Sequence, residues 1–265
     1  MSDIRFKEDT HQYFTKDNRE LISVSKFVEM FKTPVDWKKI AKNVAAKKRR
    51  EGQNITTQDI LDKWDRKRDI SASIGTLYHT QREQELLEGD SFYDISCSLK
   101  GSQYIGNEKV SLPINTLEKD TVYPELMIYD LDYMICGQSD KVIVVNDTIN
   151  IWDYKTDFEI KFKAYSSEWV KPAKMLPPIQ HLDDCNGNHY SLKMSTYMYL
   201  LWKANKGMLK PGQIVIEHVH LKRNEDDDNI PYLLDGKPIV EKIEKIILPY
   251  RKKEVMDMLQ TLKPK

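Results

Sequence analysis

The sequence predicts an α/β (α+β) fold with a central mixed β-sheet flanked by helices, and three observations carry that prediction. Hydrophobic periodicities follow one another in the order helices, strands, helix, strands, helix. At the centre, two apolar runs, Asp140 to Val145 and Ile149 to Thr156, flank an Asn146-Asp147-Thr148 turn and read as a hairpin. With 265 residues, 40% hydrophobic and 31% charged, the chain suits one large domain or a core with a helical elaboration.

From the N-terminus, Ile4, Phe6 and Tyr13-Phe14 alternate with polar residues, and Lys16-Asp17-Asn18 turns the chain before Leu21-Ile22, giving a small hairpin. Ser23-Val24-Ser25 then offers an N-cap to a short helix with Phe27, Val28 and Phe31 on its apolar side, ended by Thr33-Pro34. Residues 36–50 form a second helix whose polar residues are nearly all basic, Lys38, Lys39, Lys42, Lys47, Lys48, Arg49 and Arg50 against the single acid Asp36. Such a run is either a solvated face or a phosphate-contacting one, because so many cations with so little compensation attract a polyanion at long range.

Thr56 and Asp59 are spaced as a capping box, and Ile60, Leu61 and Trp64 give the stripe of a third helix to about Ile70. A further segment runs from Ser73 to Leu87, with Gly89 as its C-cap glycine. Its His79, Glu83 and Leu86 share one otherwise apolar face, so His79 is either a core histidine hydrogen-bonded to Glu83 or a ligand aimed inward. Residues 90–120 lack clear periodicity and read as short strands and loops, and a strand begins at Thr121 and leads into the hairpin. Residues 157–189 form a long segment, functional or disordered. Tyr190 to Asn205 is a helix burying Leu192, Tyr197, Leu200 and Leu201. Ile214 to Leu221 and Ile239 to Leu248 are strands around a Glu225-Asp226-Asp227-Asp228 turn, and Tyr250 to Leu262 is a last helix. The expected organisation is residues 1–72, a hairpin and basic helical region, packed on a core of residues 73–265 as one compact domain.

Composition excludes several function classes. Lys+Arg and Asp+Glu balance at 41 each, so only local clustering can favour a polyanion. No apolar stretch approaches the roughly 20 residues of a membrane helix and the N-terminus lacks a signal-peptide run, which predicts a soluble cytoplasmic protein. Cys97, Cys136 and Cys185 are too few and too dispersed for a disulfide framework or a four-cysteine metal site and read as free thiols. Gly236-Lys237 is followed by Pro238 and has no earlier partner glycine, so no phosphate-binding loop and no nucleotide cofactor are expected.

The hairpin carries the chemistry. In a strand, successive side chains alternate faces, so Asp153 and Lys155 share one face and Trp152 and Tyr154 the other, with Asp140 at the opening of the neighbouring strand. Two carboxylates and one ammonium converging on a sheet can hold a divalent cation and a water. Gly137-Gln138-Ser139-Asp140 followed by Asp153-Tyr154-Lys155-Thr156, with Gly75-Thr76-Leu77-Tyr78-His79 upstream and Tyr197 on a downstream helix, resembles the PD-(D/E)XK nuclease superfamily, in its RecB-like and lambda-exonuclease-like branch. The resemblance spans about Gly75 to Tyr199 and implies a restriction-endonuclease-like core. It implies that Asp140 and Asp153 bind Mg²⁺ or Mn²⁺ with the Tyr154 carbonyl, that His79 is a further ligand, and that Lys155 orients or activates the attacking water. Tyr197 would support the site or contact the substrate phosphate, and Glu125 resembles an acid on the preceding strand of some members, its alternative being a surface acid at a strand start.

Three positions depart from the family pattern. Ser139 replaces the name-giving proline, Lys193 stands where a glutamine usually precedes the helix tyrosine, and the cluster-binding cysteines of some relatives are missing, so no iron–sulfur cluster is expected. The implied activity is a metal-dependent deoxyribonuclease, an exonuclease on DNA ends or single strands in recombination, repair or phage replication. Alternatives are an endonuclease of the same superfamily, or a non-catalytic nucleic-acid-binding or assembly protein. DNA is the expected partner, with a recombination protein or further copies of the chain beside it. Phosphate contacts are expected from the basic helix and Lys193, and Trp37 and Trp64 either stack bases or fill the core.

Overall fold

A computed structural model of the chain describes residues 4–7, 9–88, 98–101, 103–105, 108–112, 114–168, 170–224 and 230–262. Gly89, Cys97 and the acidic turn at Glu225 to Asp228 lie outside the described residues. In chain order the strands are β1 (Ile4–Lys7), β2 (Gln12–Thr15), β3 (Glu20–Ser23), β4 (Ser98–Leu99), β5 (Gln103–Ile105), β6 (Glu108–Val110), β7 (Thr121–Asp130), β8 (Ile135–Val145), β9 (Thr148–Lys155), β10 (Lys210–Leu221), β11 (Arg223–Asn224), β12 (Ile230–Pro231), β13 (Leu233–Leu234), β14 (Lys237–Pro238) and β15 (Val240–Leu248). The helices are α1 (Val24–Glu29), α2 (Trp37–Arg50), α3 (Thr57–Leu87), α4 (Asn186–Ala204) and α5 (Lys252–Gln260).

One mixed sheet organises the molecule, in the order β15-β10-β9-β8-β3-β2-β1-β6-β5, with β7 on the other side of β8 and β4 beyond it. β7, β8 and β9 form an antiparallel meander, whereas β10 lies parallel to β9 and β3 parallel to β8. Helices cover both faces. On one, α4 buries Leu192, Met198 and Leu201 against Val142, Val144, Ile149, Ile151 and Ile216. On the other, Ile74 and Tyr78 of α3 pack on Tyr154, Val219 and Leu221. Each fully buried aliphatic side chain in these layers contributes about 1.5–3 kcal/mol. The expected α/β class with a central mixed sheet flanked by helices is the class observed. Cys136 and Cys185 are free and buried. Among the described residues no helix is long and apolar enough to cross a membrane.

The local sequence explains the helix starts. Ser23 caps α1 by accepting from Lys26 N–H, Asp36 caps α2 by accepting from Lys39 N–H at 2.9 Å, and Thr56 with Asp59 closes a full capping box on α3. The predicted N-terminal hairpin is a three-stranded meander, since Leu21 and Glu20 pair back onto Tyr13 and Phe14.

Three expectations are corrected. The two helical segments separated near Ile70 are one continuous 31-residue helix, which also runs through the boundary drawn at residue 72. Ser73 does not break it, because its hydroxyl donates to the Asp69 carbonyl one turn back at 2.9 Å. The helix predicted from Tyr190 begins at Asn186, whose side chain holds Lys161 N–H and the Glu159 carbonyl, both at 2.8 Å. Those bonds tie part of the long 157–189 segment onto the start of α4. Finally, β8 begins at Ile135, so Asp140 is mid-strand, not at its opening.

Candidate active site

β8 changes neighbours at its middle. On one side it pairs with β3 as far as Cys136 and with β9 from Lys141 onward, so Gly137 to Asp140 faces the opening where those two strands part. The β8–β9 ladder ends at Lys141 with Trp152, and the next pair in register would be Asp140 with Asp153. Instead, the Tyr154 N–H donates to Asp140 Oδ2 at 2.7 Å. On the other side Pro124 pairs with Lys141 and Leu126 with Ser139, which sets Glu125 across from Asp140. Glu125 has φ +47°, a left-handed conformation that costs a non-glycine residue about 1–3 kcal/mol and concentrates at functional sites.

Side chains from five elements, α3, β7, β8, β9 and α4, meet at this opening. His79 of α3 places Nδ1 3.2 Å from Asp140 Oδ2. Donor atoms of His79, Glu125 and Asp140 all lie within 4.8 Å of one another. The Glu83 hydrogen bond expected of a core His79 is not the contact observed: His79 meets Asp140, while Glu83 pairs with Lys109 at 3.5 Å. Asp153 is buried and held from two directions, Oδ1 accepting from Lys193 Nζ at 3.2 Å and Oδ2 paired with Lys155. Lys155 also donates to the Tyr154 carbonyl at 3.1 Å and sits 5.0 Å from the centre of the Tyr190 ring. Tyr190 donates in turn to Asp157 Oδ2 at 2.7 Å.

Two glycines let the helices close on this point. A Cβ at Gly137 would stand 2.6 Å from the Tyr197 hydroxyl oxygen, so only glycine admits that ring, and a Cβ at Gly75 would stand 3.2 Å from Thr156 Oγ1. Lys193 lies one turn before Tyr197 with its ammonium 5.8 Å from the ring centre.

The electrostatics are those of charge crowded among largely buried groups. Burial, and then the Asp140 carboxylate, push Glu125 up to about 7. Burial would also raise Asp140, but His79 beside it, with Lys155 and Lys193, holds it below the usual carboxylate range. Burial opposes charging His79, and Asp140 overrides that and raises its pKa. Lys193 is likewise raised, burial being outweighed by Asp153.

The site opens into a cavity of about 1050 Å³ between α3, the N-terminal meander and the β8 opening. Its lining includes Lys67, Arg68, Lys109, Lys193 and Arg223, together with Trp64 and Phe158. The basic run of α2 is not brought there: among the described lining residues none comes from α2. Lys38, Lys39, Lys42, Lys47, Lys48, Arg49 and Arg50 belong to a helix that packs on the N-terminal half of α3 through Ala41 and Ala45 against Ile60. Trp37 is 61% exposed rather than core and meets Trp64 edge-on at 6.1 Å.

Lys109, Lys67, Arg68 and Arg223 escaped the sequence reading. Lys109 lies in the aperiodic 90–120 stretch and Arg223 just after a strand, and no local pattern marks either. Comparison of the chain with protein-family models, with curated proteins and with solved structures finds no match.

Proposed function

We propose that the chain is a divalent-metal-dependent deoxyribonuclease of the PD-(D/E)XK class, an exonuclease that hydrolyses phosphodiester bonds at DNA ends or in single strands. The observation that carries this reading is the opening in β8, where His79, Glu125 and Asp140 converge beside the Asp153–Lys155 pair at the floor of a cation-lined cavity.

The donor set fits a hard or borderline cation. Two carboxylates crowd one imidazole; burial, and then repulsion from Asp140, raise Glu125, and a bound cation would offset both. His79, Asp140 and Glu125 would hold the ion, with Asp153 joining as its lysines shift. A bound Mg²⁺ or Mn²⁺ supplies charge stabilisation at the transferring phosphate and a more acidic water. Lys155, as an ammonium, would orient that water by donating a hydrogen bond to it. Lys193 keeps Asp153 aimed at the site and gives a phosphate a cation to meet. Tyr197, locked against Gly137, fixes the α4 wall on which Lys193 stands. Lys67, Arg68, Lys109 and Arg223 match a polyanion, and the Trp64 and Phe158 faces suit unpaired bases, which favours a strand end or single strand over intact duplex.

The test is digestion of end-labelled linear and covalently closed DNA with each metal. Release from ends with closed circles intact is expected, and equal cutting of the circles makes the protein an endonuclease. Because His79 adds a nitrogen donor, Mn²⁺ should support cleavage at least as well as Mg²⁺, and activity with Mg²⁺ alone counts against His79 as a ligand. A second reading, a nucleic-acid-binding or assembly protein without catalysis, is favoured by one observation: both Asp153 oxygens already meet ammonium groups. It predicts DNA binding without cleavage under any metal.

A further inference from the structure

Away from the opening in β8, the edge of the sheet gathers a second set of donors. His218 and His220 stand two residues apart on β10 and so project from one face, and the antiparallel register sets Glu244 of the edge strand β15 directly across from His218. Donor atoms of the three residues lie within 4.8 Å of one another. The two rings approach to 4.2 Å between centroids, tilted by 48°.

Two details point to a cation rather than to a hydrogen-bonded cluster. His218 Nε2 is 2.9 Å from the Asp157 carbonyl. A carbonyl only accepts, so that nitrogen carries the proton and Nδ1 keeps its lone pair. This is the outer-shell arrangement in which a ligating histidine donates its other N–H to a backbone carbonyl. His220 Nε2 is buried and faces Glu244 Oε2 at 3.5 Å, at the long limit of a hydrogen bond. Two donors at zinc bonding distances of roughly 2.0–2.2 Å in a tetrahedral array are about 3.4 Å apart, so this spacing suits atoms sharing an ion. A neighbouring cavity of about 380 Å³, lined by His220, Asp157, Arg223 and Glu241, leaves room for a water ligand. Lys242 Nζ lies 3.4 Å from the same Glu244 oxygen on an exposed, movable side chain, so an entering cation has one weak competitor.

We propose that His218, His220 and Glu244 form a zinc-type transition-metal site with a fourth position open to solvent, separate from the Mg²⁺ or Mn²⁺ cluster around Asp140. Two imidazoles and one carboxylate select Zn²⁺ over Mg²⁺. The ion pins the edge strand β15 to β10. Through the Asp157 carbonyl it also braces the segment just after β9, whose side chain holds the Tyr190 hydroxyl beside Lys155. The site stands on its own donors and not on the nuclease reading.

The experiment uses the full chain carrying Asp140→Asn, which weakens the first cluster while keeping an acceptor for Tyr154 N–H. Co²⁺ serves as the optical probe and Zn²⁺ as its competitor. Expected is one equivalent of Co²⁺ with the intense visible bands of four-coordination, displaced by Zn²⁺, and a rise in Tm with Zn²⁺. His220→Ala and Glu244→Gln, at partly exposed positions, should each weaken binding by more than the roughly 10–100-fold that loss of an outer-shell partner costs, and remove the Tm rise. A well-folded Asp140→Asn chain that binds no Co²⁺, or one whose binding and Tm response survive both substitutions, overturns the site.

Discussion

The two halves of α3 live in different surroundings. Over its first two turns, from Thr57, the helix packs on α2 through Ile60, Leu61 and Trp64 and is otherwise largely solvated, whereas from Ile70 onward it presses Ile70, Ile74 and Tyr78 toward the sheet and turns His79 onto Asp140. The cations of α2 and of the cavity also differ in arrangement. Those of α2 form a continuous run along a surface helix, with four of them in its last turn, where they complement the helix dipole. The cations of the cavity come from separate stretches, Lys67 and Arg68 together on α3, Lys109 on β6, Lys193 on α4 and Arg223 on β11, and several meet acids, among them Lys109 with Glu83 and Lys193 with Asp153. A run of charge therefore marks a helix that needs solvation, while cations suited to a site are dispersed and neutralised in place.

The sharpest way to break this comparison is to disable the C-terminal side. Asp140→Ala, Asp153→Ala and Lys155→Ala should each lower cleavage by about 10³-fold or more while DNA binding and the circular dichroism spectrum persist. Cleavage within about tenfold of the parent in any of the three would remove that residue from the site.

That Asp153 and Lys155 share a strand face near Asp140 was legible from a hairpin's alternation, whereas His79 as a ligand came only with the family resemblance, its helix face alone leaving a core histidine open. The register that ends at Lys141 and Trp152 was not legible, because strand divergence depends on β3 entering beside β8 from more than 100 residues upstream. The continuity of α3 was also hidden. Ser71-Ala72-Ser73 reads as a weak spot, and only the Ser73 bond to Asp69 shows that its hydroxyl is satisfied within the helix. Lys193 was visible as a departure from a pattern, yet its burial against Asp153 is a tertiary fact.

Stability separates the glycines within the packed half. Gly137→Ala drives a methyl into Tyr197 and should cost about 1–3 kcal/mol, as overpacking does. At Gly75 the 3.2 Å approach to Thr156 Oγ1 is milder, and the gain of about 0.5–1 kcal/mol from replacing a helical glycine offsets it. Urea titrations should therefore find Gly137→Ala clearly destabilised and Gly75→Ala near the parent. The reverse order would mean that Tyr197 is not held against β8.

Smaller effects are expected on the α2 side. Replacing Lys47, Lys48, Arg49 and Arg50 by glutamine should leave cleavage within about threefold and change the salt slope of DNA binding by less than about one. A slope reduced by about three or more, near 0.9 per lost phosphate contact, would make α2 part of the DNA surface and dissolve the contrast between the two halves.

The smallest effect concerns the cap that starts α3. Thr56 N–H donates to Asp59 Oδ2 at 2.7 Å, and that bond, with the Thr56 hydroxyl, holds the Asp59 carboxyl below its ordinary value of 3.8. A carboxyl depressed in the fold stabilises it fully above the unfolded value, and that contribution is lost as pH falls through the folded one. Amide exchange at Gln58 to Leu61, normalised to intrinsic rates, should quicken below about pH 4, and Asp59→Asn should flatten that dependence. Amides at Ile74 to Tyr78 should not respond to the substitution, because burial in the sheet rather than the cap holds that half. An equal response at both ends would show that α3 opens as one unit.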